Sequence, residues 1–215
     1  MLYIHFVFVG EGSTDEGLIP HLEDLCISAG ADEVSGVAPD FNRLPYRIGA
    51  DVKSKIEAAL TLEPVANLLF VHRDSDSRDP EPRYKEIATA AATIEIPFVA
   101  VVPIQELEAW LLLDEAELRR VAENPSGTMP LHLPSPATVE NLASPKETLK
   151  ETLALASGTT GRRRQRFAAD FDDQRRLLVD RMNPRGPLGN VPAWRRLQSD
   201  VEKTIKNFHF GGVEP

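Results

Sequence analysis

Asn67-Leu68-Leu69-Phe70-Val71-His72-Arg73-Asp74-Ser75-Asp76 is the stretch whose reading decides the fold. Four consecutive apolar residues fit a strand buried on both faces, as in a parallel sheet covered by helices. The run ends in two aspartates one residue apart, so the acids fall at the strand's carboxyl end, the edge where open α/β sheets bind ligands. If the strand continues to the pair, side chains that alternate with period two bring Asp74 and Asp76 to one face. Two carboxylates aimed at one point repel each other, and a hard divalent cation between them relieves that repulsion. A solvated turn is the alternative, because Ser77-Arg78-Asp79-Pro80 follows.

Upstream, Leu2 to Val9 is β-branched and aromatic throughout and reads as a central strand. It runs into Gly10-Glu11-Gly12, where two glycines around an acid permit a tight turn or a close backbone approach. Ser13 or Thr14 then caps a helix favoured by Asp15 and Glu16 in its first turn, with Leu18, Ile19, Leu22, Leu25 and Cys26 at helical spacing up to a stop at Gly30. Val34 to Val37 reads as a short strand, Phe41 to Ile48 as a loop, and Asp51 to Leu60 as a helix capped by Asp51. A helix over Tyr84 to Ile94 and a strand over Pro97 to Val102 follow, then a helix starting near Ile104. Strand and helix alternate as in a doubly wound parallel α/β layer, with right-handed crossovers placing Glu11, Asp74, Asp76, Glu106 and Glu108 on loops at one edge. The α/β core is expected over residues 1–123.

The second part, 124–215, opens with a connection containing Pro125, Pro130, Pro134 and Pro136 and continues as a helical, arginine-rich extension packed on the core. Ser144-Pro145-Lys146-Glu147 carries a capping-box pattern for a helix to Ala156. Two further helices are expected, at Arg163 to Met182 and Pro192 to Asn207. Trp110 sits among leucines at helical spacing and reads as core.

The net charge of −9 argues against a chain that binds polyanions by bulk charge, but its distribution is uneven. Residues 1–120 carry 10 Lys and Arg against 22 Asp and Glu, and residues 121–215 carry 14 against 11. Between residues 160 and 196 stand 10 arginines and four aspartates. Arg162, Arg163, Arg164 and Arg166 in this cluster can neutralise phosphates along nucleic acid, or form a solvated face or a protein docking surface. The single cysteine, Cys26, excludes an internal disulfide and reads as packed rather than reactive. The first residues lack a basic stretch and the run from Leu2 to Val9 is too short to span a bilayer, so neither signal peptide nor membrane segment is expected, and the location read from this is cytoplasmic.

The motifs resemble the TOPRIM domain, the metal-dependent fold shared by topoisomerases, primases and a group of nucleases. Val9-Gly10-Glu11-Gly12-Ser13-Thr14-Asp15-Glu16 resembles its glutamate-bearing turn, in the form seen in nucleases paired with ABC-type ATPases. Val71-His72-Arg73-Asp74-Ser75-Asp76 resembles its Asp-x-Asp motif. Gln105 to Leu112 and Pro145-Lys146 are similar to segments of small bacterial stand-alone TOPRIM-like proteins. The chain departs from the topoisomerase pattern after Asp-x-Asp, where a further acidic metal motif is missing, so simple phosphodiester chemistry fits better than strand passage.

The resemblance implies a TOPRIM/Rossmann-like parallel sheet and a Mg²⁺-dependent phosphodiesterase, a nuclease, with Mn²⁺ as a substitute. It implies Asp74 and Asp76 as metal ligands, and Glu11 as a further ligand or the general acid/base. Glu108 is the candidate for an additional ligand, Lys146 and Arg73 for phosphate. Clustered carboxylates that raise one another's pKa suit such proton transfer. Nucleic acid as substrate, an ABC-type ATPase as partner and a role in bacterial defence belong to the same expectation. Two other readings stay open: a metal-dependent nucleotide-sugar transferase, and a non-catalytic module that binds a partner through its arginine-rich helices.

Overall fold

The expected alternation folds as a parallel sheet. The computed structural model describes residues 1–210; the last residues of the predicted extension, 211–215, lie outside them. Strands β1 (Tyr3–Val9), β2 (Glu33–Val37), β3 (Leu68–His72) and β4 (Phe98–Val101) stand in the order β2-β1-β3-β4, every pairing parallel. Phe6 is in register with Leu68 and Val9 with Val71, so the two apolar runs form the sheet's centre. Every residue of β3 is buried, as a strand covered on both faces requires.

One face is covered by α2 (Val52–Leu62) and α3 (Glu81–Ala90). Ile56, Ala59 and Ile87 pack there with Val7, Val9, Leu69 and Val71 in a single apolar cluster. On the other face Phe6 meets Phe70 edge to face, with ring centroids 4.8 Å apart. A side chain at Gly36 of β2 would overlap the Phe6 ring and Ile19 of α1 (Ile19–Ser28), so the edge strand needs glycine opposite that ring. Each fully buried Phe, Leu, Ile or Val here contributes about 1.5–3 kcal/mol. The chain leaves β1 for β2 on one side and returns for β3 on the other, which makes the gap between the carboxyl ends of β1 and β3 the sheet's topological switch point.

The chain divides into two compact units. One takes in Met1–Arg73, Pro80–Val102 and the chain from Arg196; the other takes in Asp74–Asp79 and Pro103–Arg195. The second unit is helical, with α4 (Glu108–Leu111), α5 (Glu115–Val121), α6 (Pro145–Ala156), α7 (Gly161–Ala169) and α8 (Phe171–Asp180), and it holds the start of α9 (Pro192–Phe210). Its core contains Trp110, as expected, set edge to face against Trp194 with ring centroids 5.1 Å apart. Glu140 accepts a hydrogen bond from the Ala193 amide, yet half-burial holds its pKa above the ordinary 4.5. In the first unit, burial pushes the Cys26 thiol up to about 12, with Glu23 adding to the effect.

Several expected boundaries move, each for a local reason. After β1 the chain forms a 3-10 turn at Ser13–Leu18, and α1 begins only at Ile19, with Pro20 in its first turn. Neither Ser13 nor Thr14 caps it: the residue before α1 is Leu18, which gives no side-chain cap, and the Asp15 carboxylate instead accepts from the amides of Glu11 and Gly12 at the start of the 3-10 turn. Helix α3 starts at Glu81 because Pro82 opens the helix rather than preceding it. The helix expected from Arg163 to Met182 is broken at Asp170, where Gln174 Nε2 donates to the Phe167 carbonyl at 2.8 Å and satisfies the end of α7. Asp51 caps α2 as expected, accepting from Ser54 N at 2.9 Å.

Candidate functional site

The first part of the site is the turn after β1. A Cβ at Gly10 would come within 2.9 Å of Phe8 Cε1 and 3.3 Å of Asp15 Cβ, so the chain can turn this tightly only without a side chain there. Gly12 meets nothing within 4 Å and its extended backbone suits any residue, so only the first glycine of the pair is sterically required. Asp15 is 3% exposed and its Oδ2 accepts from the amides of Glu11 at 3.2 Å and Gly12 at 3.1 Å. The same oxygen lies 3.3 Å from Nδ1 of His72, the last residue of β3, which is 1% exposed. His72 in turn stacks on Phe8 at 6.3 Å and 19°. One buried carboxylate therefore ties the turn after β1 to the end of β3 across the switch point.

That arrangement fixes the backbone of Glu11 and leaves its side chain outside. Glu11 Oε1 meets Arg73 Nε at 2.9 Å, and the Arg73 guanidinium also reaches Glu86, at 3.8 Å. Lys55 Nζ of α2 donates to the carbonyls of Gly10 and Glu11, both at 3.3 Å. Beside the turn lies an open groove of about 630 Å³ between Gly10–Glu16 and Ala38–Asn42, with Glu11, Asp40 and Lys55 among its walls. Arg73, expected to contact phosphate, pairs with Glu11 here, and Glu11, expected to be catalytic, lines the groove beside the turn.

The second part belongs to the helical unit. Strand β3 stops at His72 and Asp76 takes a left-handed φ of 51°, so the period-two rule expected to bring Asp74 and Asp76 to one face does not operate. The segment is held instead by the chain after Pro103. Ser75 N donates to Pro103 O at 3.0 Å, Asp76 N to Gln105 O at 2.9 Å, and Gln105 N to Ser77 O at 3.2 Å. Gln105 is also left-handed, at φ 63°, which ends the extended chain and delays α4 from the expected Ile104 to Glu108. Two non-glycine residues in that region, bonded to each other, are local strain retained by a well-bonded loop pair, a feature that clusters at functional sites. Half-buried Asp74 accepts from Leu107 N at 2.9 Å, whereas Asp76 is exposed.

The other acids are placed by helix ends and ion pairs. Glu106 lies outside any helix and its Oε2 accepts from the Lys146 amide in the first turn of α6, at 2.8 Å. The anion drawn to that amino end is thus the protein's own carboxylate. Ser144 provides no side-chain cap, and Glu147 pairs with Lys150 at 2.7 Å, so the capping box read from sequence does not form. Glu108 is 3% exposed and its Oε1 meets Arg175 Nε of α8 at 2.8 Å, a buried ion pair. For Glu108 to bind a metal, that pair has to open. The remaining expected phosphate contacts, Arg162, Arg163, Arg164 and Arg166, all lie on α7, a helix with no buried residue.

Among the described residues no three His, Cys, Asp or Glu side chains gather as a metal-binding group. Mg²⁺ commonly binds through one or two carboxylates, with waters and substrate phosphates completing its shell, so an all-protein cage is not what this ion demands. Exposed Asp76 and half-buried Asp74 supply donors of that oxygen type. Comparison with protein-family models, with curated proteins and with solved structures finds no match.

Sequence reasoning missed Asp15 and His72 as a pair. Asp15 stood out only as a first-turn acid, and His72 as a strand-end residue. The signal was present in the strand register: His72 and Phe8 share a face, four apolar residues deep in a sheet, where a histidine needs a buried partner.

Proposed function

We propose that this chain is a metal-dependent phosphodiesterase of the TOPRIM type that cleaves nucleic acid. The observation that carries the reading is the Gly10-Glu11-Gly12 turn at the switch point, locked from beneath by buried Asp15 and His72, which sets Glu11 at the groove. A carboxylate placed with such care at the carboxyl edge of a parallel sheet is suited to proton transfer or cation binding rather than to stability.

In this reading Asp74 and Asp76 hold Mg²⁺, with Mn²⁺ as a substitute, and the cation, when bound, offsets charge on the non-bridging phosphate oxygens. The motif resemblance gives Glu11 the part of general acid/base or further ligand, and within the sheet unit Arg73 holds Glu11 in place or meets phosphate. The arginines of α7 and Lys146 add sequence-independent attraction for the polymer's backbone. A bacterial defence setting and an ABC-type ATPase partner come from the motif resemblance, by analogy.

The test is incubation with single- and double-stranded DNA and RNA in Mg²⁺, Mn²⁺ or EDTA. Cleavage that needs the metal and falls by a factor of about 100 or more in Asp74→Asn, Asp76→Asn and Glu11→Gln, the scale of lost general acid/base or charge stabilisation, is the expected result. Cleavage that survives all three substitutions, or no cleavage by the unaltered protein in either metal, overturns it. A second reading draws on α7, whose four arginines bury nothing: a partner-binding module. It predicts that reversing those charges abolishes biological activity while the three carboxylate variants retain it.

A further inference from the structure

We propose that residues 41–50, the loop that follows β2, form a stacking platform for single-stranded nucleic acid at the groove lined by Glu11. The proposal rests on the phosphodiesterase reading and specifies its substrate as unpaired strand.

The half of the chain that holds this loop is strongly acidic, yet from Phe41 to Ala50 there are two arginines and no acid. Arg43 and Arg47 are both exposed, and among the described residues neither side chain has a hydrogen bond or ion pair. Between them stands Tyr46, 56% exposed, an aromatic ring presented to solvent without a polar partner for its hydroxyl among the described residues. Alternation of arginine and aromatic side chains is the chemistry that binds single strands: the guanidinium groups meet phosphates and the ring stacks on a base face. A duplex hides those faces in its own stack, and its backbone alone gives the ring nothing to do.

The loop is held at both ends. Phe41 packs against the sheet's apolar cluster, and Asp40 accepts from Asn42 N at 3.1 Å to start the short 3-10 turn Phe41–Arg43. At the far end Asp51 caps α2. The two flanking acids cap the ends of the loop and lie outside the stretch that carries Arg43 and Arg47. Phe41 and Asn42, where the loop begins, line the same groove as Glu11, so a strand seated on the platform runs toward that carboxylate.

Fluorescence anisotropy tests this in EDTA, where cleavage plays no part. Labelled strands and hairpin duplexes of about 20 nucleotides exceed the size of a single-strand site. Tyr46→Ala weakens single-strand binding about tenfold and duplex binding less than twofold, and Tyr46→Phe restores it, because the face and not the hydroxyl stacks. Arg43→Glu with Arg47→Glu weakens binding and lowers the salt slope by about 1.4, the share of two phosphate contacts on a single strand. All three positions are exposed loop sites, so melting temperatures match the unaltered protein's. Equal losses on both polymers, unchanged affinity in Tyr46→Ala, or no single-strand binding by the unaltered protein overturns the platform. Binding as described without cleavage in Mg²⁺ or Mn²⁺ keeps the platform and removes the phosphodiesterase; cleavage that is indifferent to Tyr46 does the reverse.

Discussion

Replacing Asp15 with alanine removes one oxygen on which three groups converge: the amides of Glu11 and Gly12 and the His72 ring. An unsatisfied buried donor costs about 1–3 kcal/mol, and the two amides are partly solvated, so each falls at the low end of that range. His72, almost wholly buried, loses the partner that its ring nitrogen faces. Together the substitution costs the first unit about 3 kcal/mol, and Asp15→Asn, which keeps an acceptor, about half of that.

The assay must report that unit alone. Tryptophan fluorescence does not, because Trp110 and Trp194 both belong to the helical unit. Cys26 does: it is buried in α1 and its thiol, pushed up to about 12, is inert to alkylation until the unit opens. Where opening is at equilibrium, about 3 kcal/mol of lost stability raises the native-state labelling rate roughly 150-fold. Labelling in Asp15→Ala within threefold of the unaltered protein refutes the idea that this carboxylate organises the turn. So does a shift seen in tryptophan fluorescence without one at Cys26.

Two further outcomes follow from the geometry. Gly10→Ala forces its new methyl against Phe8 and Asp15 and lowers stability by about 1–3 kcal/mol, whereas Gly12→Ala, which meets nothing, stays within about 0.5 kcal/mol; paired denaturant titrations distinguish them. Glu140 has a folded pKa raised above 4.5 by burial, so the folded state holds its proton more tightly than the unfolded one. Its contribution is present below pH 4.5 and is lost as the pH rises through the higher folded value. Glu140→Gln therefore gains melting temperature relative to the unaltered protein at pH 7 but not at pH 4; an equal change at both contradicts the assignment.

The parallel sheet was legible because its central strands are unbroken apolar runs, and nothing competes with that pattern. Helix ends were legible where one residue acts alone, as Asp51 does, and misread where the cap comes from afar. Glu106 caps α6 from 40 residues away, and no local pattern announces it. The Asp-x-Asp pair was visible as chemistry but not as geometry, because the left-handed turn at Asp76 is imposed by Gln105. Asp15 and His72 were hidden for the same reason: their meaning lies in a register between strands nearly 60 residues apart. Arg175 looked like one arginine of a basic cluster until its burial against Glu108 set it apart from the exposed arginines of α7.

The last helix bears on how the protein is made. The unit that begins at Met1 takes up the chain again from Arg196, where the guanidinium sits 3.5 Å from the Tyr84 ring centroid and 2.6 Å from Glu81, and where Leu197, Val201 and Ile205 are buried. A ribosome has synthesised nearly all of the helical unit before those residues exist. The turn bearing Glu11 and the strand ending in His72 thus emerge ahead of the helical unit, and their own unit is completed only after it. A chain that stalls before Arg196 leaves the sheet unit without its closing residues.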